Sequence, residues 1–342
     1  MLMAFLAIQG TSYFGILSKV ESYWLRNSIL EILMFLPIVV FLAGDKNQFV
    51  PMMRVKPVKI RVLLLAVVVE MCMTPVIWLC NLVTELFTPN VVEIGVGSYV
   101  DETPYFLMIL SMAVIPAIVE EVSVRGIIQS AFSRSGRKFA AILMSSACFG
   151  IMHGNVNQFV YAFIMGIAFG FVVEATDSVI PVAVMHFFTN WFALTLLYYL
   201  RYVTIAQGQL KGVLELIGGK VASPEIEAVQ QNSQLMDVVS TASEVIAVVM
   251  NVLFAVAGVF AAYKLICRIA VITGRTGHML SIIPEFIKKR VIKNPGGMQA
   301  EKAAAVSDLP CTRIMNPVLA IGILIWIGVI VLYECIVHGV IA

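Results

Sequence analysis

A chain of 342 residues that is 60% hydrophobic and only 13% charged is not an ordinary soluble domain, because such domains carry roughly 25% charged residues. Apolar windows close to the ~20 residues needed to cross a bilayer recur along its whole length, which excludes a nucleic-acid-binding or disordered chain and implies an all-α, polytopic transmembrane helix bundle of about 8–9 spans. The net charge of +2 excludes nothing as a total; the placement of the charges is what carries information.

The first expected helix, 2–18, opens on "MLMAFLAIQGTSYFG". It has no basic n-region and no clear cleavage site, so it reads as an uncleaved span. A second helix at 27–44 leads into the basic stretch "DKNQFVPMMRVKPVKIR" (45–61) and a third helix at 60–87, followed by the acidic "PNVVEIGVGSYVDETP" (89–104). Helices at 104–132 and 139–153 flank the basic turn "SRSGRK", and two more are expected at 156–173 and 179–200 around "EATDS". After an outer loop with some helix at 203–237 come a helix at 238–266, a basic loop at 268–315 and a last helix at 316–341. Because Lys and Arg collect in cytoplasmic loops, the pattern places the N-terminus inside and residues 89–104 outside. The segment "HMLSIIPEFIKKRVIKN" could lie on an anionic membrane surface. Six cysteines, at 72, 80, 148, 267, 311 and 335, form no CxxC pair and read as small packing residues.

An ionisable group in hydrocarbon costs at least a few kcal/mol, so it is paired, lines a cavity or performs a function. "PAIVEEVSVRG" (116–126) puts Glu120, Glu121 and Arg125 in one apolar run. On a helix Glu121 and Arg125 are four apart with the acid first, the favoured order for an ion pair. Glu120 is turned about 100° away. The simplest division gives Glu121 to Arg125 and leaves Glu120 to face something else, as a general acid or base would. Two of the four histidines fall nearby, His153 in "FGIMHGN" and His186 in "VMHFFTN", and Asn190 shares a helix face with His186. Asn157 and Gln158 begin the following helix, where Gly166 and Gly170 form a GxxxG suited to close helix packing.

Depth along the helices tests whether these groups can meet. With a hairpin about Gly136, Glu120 and His153 both lie ~25 Å from the turn at a rise of ~1.5 Å per residue. Measured from a turn near Thr176, His186 and Asn190 lie at ~15 and ~21 Å. Four polar groups from three helices can therefore reach one buried layer.

At these residues the sequence resembles a known family. "EEVSVRG" (120–126), "FGIMH" (149–153) and "HFFTN" (186–190) look like the EExxxR, FxxxH and HxxxN motifs, in order, of the CAAX protease and bacteriocin-processing (CPBP, or "Abi") family of intramembrane proteases, whose eukaryotic member is the type II CAAX prenyl endopeptidase. "HGNVNQFVYAFIMGIAFG" is similar to the bacterial branch. The resemblance covers roughly residues 105–195 and implies a division into N-terminal helices (1–103), a catalytic core (104–200) and C-terminal loops and helices (201–342). It implies that Glu120, with His153, activates a hydrolytic water, that His186 and Asn190 form an oxyanion hole, and that Glu121 and Arg125 support the site. Val124 departs from the pattern, standing where an aromatic residue is common.

The expected partners are a peptide or membrane-anchored protein substrate and the lipid bilayer, in a bacterial cytoplasmic membrane. No cofactor is expected. The alternative is zinc held by Glu120, His153 and His186 with an open water position, although the chain has no HExxH. Cysteine catalysis through Cys148 is disfavoured, since Cys148 lies five residues before His153 and off its face. Two non-proteolytic readings stand beside hydrolysis: a bacteriocin-immunity or scaffold protein, and a proton-coupled transporter. Glu70, in "VVVEMCMTP", keeps the transporter open, although a carboxyl bonded to backbone freed by Pro75 is the plainer account of it.

Overall fold

A computed structural model describes residue 17 and residues 19–216 and 233–282. The helix expected at 316–341, and that at 2–18 but for one residue, lie outside the described residues. Every element among the described residues is helical. The helices are α1 (Tyr23–Met52), α2 (Ile60–Thr84), α3 (Val91–Gly97), α4 (Tyr105–Ser133), α5 (Lys138–Met152), α6 (Val156–Thr176), α7 (Ile180–Leu216), α8 (Ser233–Ile272) and α9 (Thr276–Ile282). Five stretches are long and apolar enough to cross a membrane: Ile60–Thr84, Tyr105–Ser133, Val156–Thr176, Ile180–Ala206 and Ser243–Ile272. Apolar side chains such as Leu64 on α2 and Ile246, Leu253, Phe254 and Phe260 on α8 point outward, as lipid-facing residues do. The chain is a membrane protein built as an all-helical bundle.

Two expectations change. The helix expected to span at 139–153 is α5, only 15 residues long, or ~22 Å at the α-helical rise, short of a ~30 Å hydrocarbon core. The loop expected at 203–237 is helical at both of its described ends, because α7 runs on to Leu216 and α8 begins at Ser233. Residues 204–216, "TIAQGQLKGVLEL", contain no proline to stop it. Past its middle α7 is tied to the loop before α4, where Arg201 Nε donates to Asp101 Oδ1 at 3.0 Å. That bond holds the exposed Asp101 carboxyl below the usual carboxylate range.

Turns fall where the backbone requires them. Gly136 (φ 77°) closes α4, and Gly154 (φ 73°) ends α5. Asn155 then caps α6, its side chain accepting Gln158 N–H at 2.8 Å. The core runs through buried Val69, Val124, Phe149, Phe169, Val182 and Ile269. Small residues set its closest approaches: a Cβ on Gly166 would lie 2.9 Å from Ser146 Cβ, and one on Gly170 would lie 2.8 Å from Ile142. The GxxxG of α6 is therefore a packing face against α5.

The helix carrying the two glutamates is not a regular α-helix. It widens to π-turns at Leu110–Val114 and Val122–Ile128, on either side of Pro116. In the first, Ile115 N–H goes to Leu110 O and so is withdrawn from Ser111 O. The next possible donors to Ser111 O and Met112 O belong to Pro116, which has no N–H. Two asparagines from other helices satisfy these carbonyls: Asn27 Nδ2 of α1 donates to Ser111 O at 2.7 Å, and Asn190 Nδ2 of α7 to Met112 O at 3.0 Å.

Those bonds fix the register on both sides of α4. α1 runs parallel to it, since Asn27 meets Ser111 near one end and Ser130 Oγ donates to Met52 O at the other. α7 runs antiparallel, with Asn190 at Met112, Thr195 at Tyr105 and Tyr198 at Thr103.

The acidic turn "EATDS" is the centre of a second polar cluster. Glu174, 1% exposed, receives Arg54 Nη1 at 2.7 Å, Gln129 Nε2 at 3.1 Å and His278 Nε2 at 2.6 Å. Lys138 Nζ reaches His278 Nδ1 at 3.0 Å, and Lys56 pairs with Asp177. This cluster joins the α1–α2 connection, the end of α4, the start of α5 and the α8–α9 turn at the basic end of the bundle.

Candidate active site

Glu121 and Arg125 make the ion pair that their spacing favours, Arg125 Nη1 to Glu121 Oε1 at 3.0 Å, with both side chains fully buried. The pair is not isolated. His186 Nδ1 also reaches Glu121 Oε1, at 2.9 Å, from α7. The other ring nitrogen, Nε2, lies 4.0 Å from Glu120 Oε2. One histidine thus stands between the two adjacent carboxylates, in direct contact with one and just beyond hydrogen-bond distance of the other. Glu120 is 8% exposed, and its Oε2 makes no hydrogen bond within the protein.

Aromatic rings hold the cluster. The Arg125 guanidinium stacks over Phe149 at 3.9 Å and near Phe169 at 5.2 Å. The Phe149 ring meets His186 edge-on at 5.8 Å and His153 edge-on at 4.9 Å. Both histidines therefore pack against Phe149, the aromatic residue of the FxxxH motif. His153 Nδ1 is bonded to Phe149 O at 2.8 Å. A carbonyl accepts, so Nδ1 carries the proton and Nε2 is left as the basic nitrogen.

Glu120, Glu121, Arg125 and His186 are thus gathered into one contact group. His153 is one ring away, and its hydrogen bond is to its own helix. Asn190 lies one helical turn from His186, but its amide is turned to Met112 O; a second N–H remains for another acceptor. Among the described residues no three His, Cys, Asp or Glu side chains, Glu120, His153 and His186 included, are grouped closely enough to hold a metal ion.

Residues outside the three motifs complete the layer. Glu70 of α2, 1% exposed, accepts Thr189 Oγ1 of α7 at 2.6 Å. Its partner is a side chain beside Asn190, not backbone freed by Pro75. Glu31 of α1, 8% exposed, is also buried, and its Oε2 has no hydrogen-bond partner. Neither its own motif nor a neighbouring charge marks Glu31. The available signal was Asn27 and Glu31 at i and i+4, the spacing shared by His186 and Asn190.

Fold and site together define a polytopic membrane protein with an acid–histidine–arginine cluster buried inside its helices. Residues 102–192 match the model of the type II CAAX prenyl endopeptidase Rce1-like family. That segment contains Glu120, Glu121, Arg125, His153, His186 and Asn190, so the similarity to the CAAX protease family falls on the residues of the site. The family implies membrane protease activity in general and action on membrane-associated peptide substrates. No curated protein and no solved structure gives a significant match.

Proposed function

We propose that this protein is a glutamate-type intramembrane endopeptidase that hydrolyses a peptide bond in a membrane-associated substrate, and that Glu120 is the base that activates the water. The observation that carries this reading is the geometry at Glu120. Its Oε2 is buried, has no hydrogen-bond partner within the protein, and faces His186 Nε2 at 4.0 Å. At that separation one water can touch both atoms where a direct hydrogen bond cannot form.

Glu120 accepts the proton of the attacking water, and His153, with Nε2 as its basic nitrogen, assists from beside Phe149. His186 is suited to oxyanion stabilisation because Glu121 holds its Nδ1 and its Nε2 faces Glu120 in a water-poor site. Asn190 supplies its remaining N–H. Glu121 and Arg125 hold His186 at its position and do not themselves touch substrate. This chemistry asks for no metal. A bacterial cytoplasmic membrane is the setting that fits the sequence resemblance, and a bacteriocin precursor or membrane-anchored regulator is a fitting substrate.

The test is cleavage of fluorogenic membrane-associated peptides, a prenylated CAAX peptide among them, by protein reconstituted in liposomes. Glu120→Gln and His153→Ala should each abolish cleavage while thermal unfolding stays close to that of the parent, and exhaustive chelation should leave the parent active. Cleavage that survives both substitutions would sink the assignment.

A further inference from the structure

The buried residues in the first half of α1 are Ser28, Glu31, Met34 and Pro37, a stripe at i and i+3, and α1 packs along α4. Ser28 satisfies itself by donating to Trp24 O at 2.7 Å. Glu31 Oε2 finds no hydrogen-bond partner within the protein. A carboxyl in an apolar helix face is costly, and such groups are kept for function.

The register shows what Glu31 approaches. Asn27 and Asn190 are bonded to the adjoining carbonyls of Ser111 and Met112. Because α1 is parallel to α4, Glu31 lies one turn, ~6 Å, further along α4 toward Glu120. Because α7 is antiparallel, His186 lies the same ~6 Å further in the same direction. His186 is in fact 4.0 Å from Glu120 Oε2, so the same step carries Glu31 to that depth from α1. Glu31, like His186, Glu121 and Arg125, is within electrostatic reach of Glu120. Tyr161 of α6 is also within electrostatic reach of Glu120.

We propose that Glu31 is the second acid–base carboxyl of this site, the one that protonates the departing amine. The proposal rests on the reading that Glu120 activates water for peptide hydrolysis. In the resting pair Glu31 holds a proton and Glu120 is ionised. Water attacks the carbonyl carbon, forming the C–O bond, and gives one proton to Glu120, while the C=O electron pair moves to oxygen. The oxyanion then collapses, the C–N bond breaks with its electrons on nitrogen, and the Glu31 proton goes to that nitrogen. The products are a carboxylic acid and an amine, with Glu120 protonated and Glu31 ionised. Transfer of the proton from Glu120 to Glu31 restores the pair.

A leaving group that departs without a proton should not need Glu31. The reconstituted protein is therefore compared on one cleaved peptide and on its analogue with a thioester in place of the scissile amide. Glu31→Gln should slow the amide by ~10²-fold or more, the usual worth of a positioned acid, and the thioester by less than ~10-fold. Glu120→Gln should slow both. Amide cleavage by Glu31→Gln within ~3-fold of the parent, or equal loss on amide and thioester, overturns the proposal while leaving the hydrolytic reading in place. If Glu31→Gln does not fold, Glu31→Asp draws the acid back by one methylene and must slow the amide more than the thioester; equal slowing overturns the proposal. A parent that cleaves no peptide, or a Glu120→Gln variant that cleaves normally, overturns the hydrolytic reading and Glu31's role with it.

Discussion

Replacing Arg125 by methionine would leave Glu121 buried with only His186 to neutralise it. Arg125 and Glu121 are both fully buried and 3.0 Å apart. Removing one partner of a buried pair costs about 3–5 kcal/mol, because the other charge is left uncompensated. His186 Nδ1, still 2.9 Å from Glu121, draws the value toward the lower end of that range. The guanidinium also stacks on Phe149 at 3.9 Å, which adds up to ~2 kcal/mol at a desolvated site. A methionine sulfur on the same ring returns ~0.3–1.5 kcal/mol of this. The expected cost is therefore ~4 kcal/mol, read by equilibrium unfolding of the protein in mixed micelles. Glu121→Gln should cost a similar amount by stranding Arg125, whereas the double variant strands neither charge. A coupling energy of ~3 kcal/mol is expected from the complete cycle. Arg125→Lys keeps the charge but loses the planar stack, and should fall between parent and methionine. An Arg125→Met protein within ~1 kcal/mol of the parent, or additive costs in the double variant, would refute the idea that this ion pair holds the layer together.

Two further stability predictions concern packing and the second polar cluster. Gly258 of α8 faces α2 so closely that a Cβ would lie 2.0 Å from Cys72 O. Gly258→Ala should cost about 3 kcal/mol or more, since a backbone atom cannot yield as a side chain can; Gly95→Ala, with nothing within 4 Å, is the control, and equal unfolding of the two would contradict the packing. Glu174→Ala removes the shared acceptor of Arg54, Gln129 and His278 and should cost ~3–5 kcal/mol. Faster proteolysis of the exposed 53–59 connection should accompany it, and an unchanged digestion rate would show that the cluster does not anchor that segment.

Much of the architecture was legible because a helix carries its own ruler. Apolar runs near bilayer length located α2, α4, α6, α7 and the apolar part of α8, and the 3.6-residue period placed Glu121 with Arg125 and His186 with Asn190. The hairpin at Gly136 followed from the same counting, and its φ of 77° is one that glycine adopts without strain. α5 has the 15-residue length expected of it; what changed is that this length is too short to count as a full span. The reach of α7 was underestimated because a polar face does not by itself end a helix.

Relations between helices were decided elsewhere. Counting residues put His153 at the depth of Glu120; only the structure shows that His186 stands beside Glu120 and that His153 packs against the Phe149 ring. The reason lies in α4, where Pro116 and the π-turns strand two carbonyls and rotate the segment that follows. Asn27 and Asn190 dock on those carbonyls and set the register of α1 and α7. Glu31, Glu70 and Glu174 gained their meaning only then. The chain by itself determined which residues are helical, which are too polar for lipid and which share a face. Tertiary structure decided which faces meet and at what depth, because close helix packing and unpaired carbonyls couple residues that no sequence period relates.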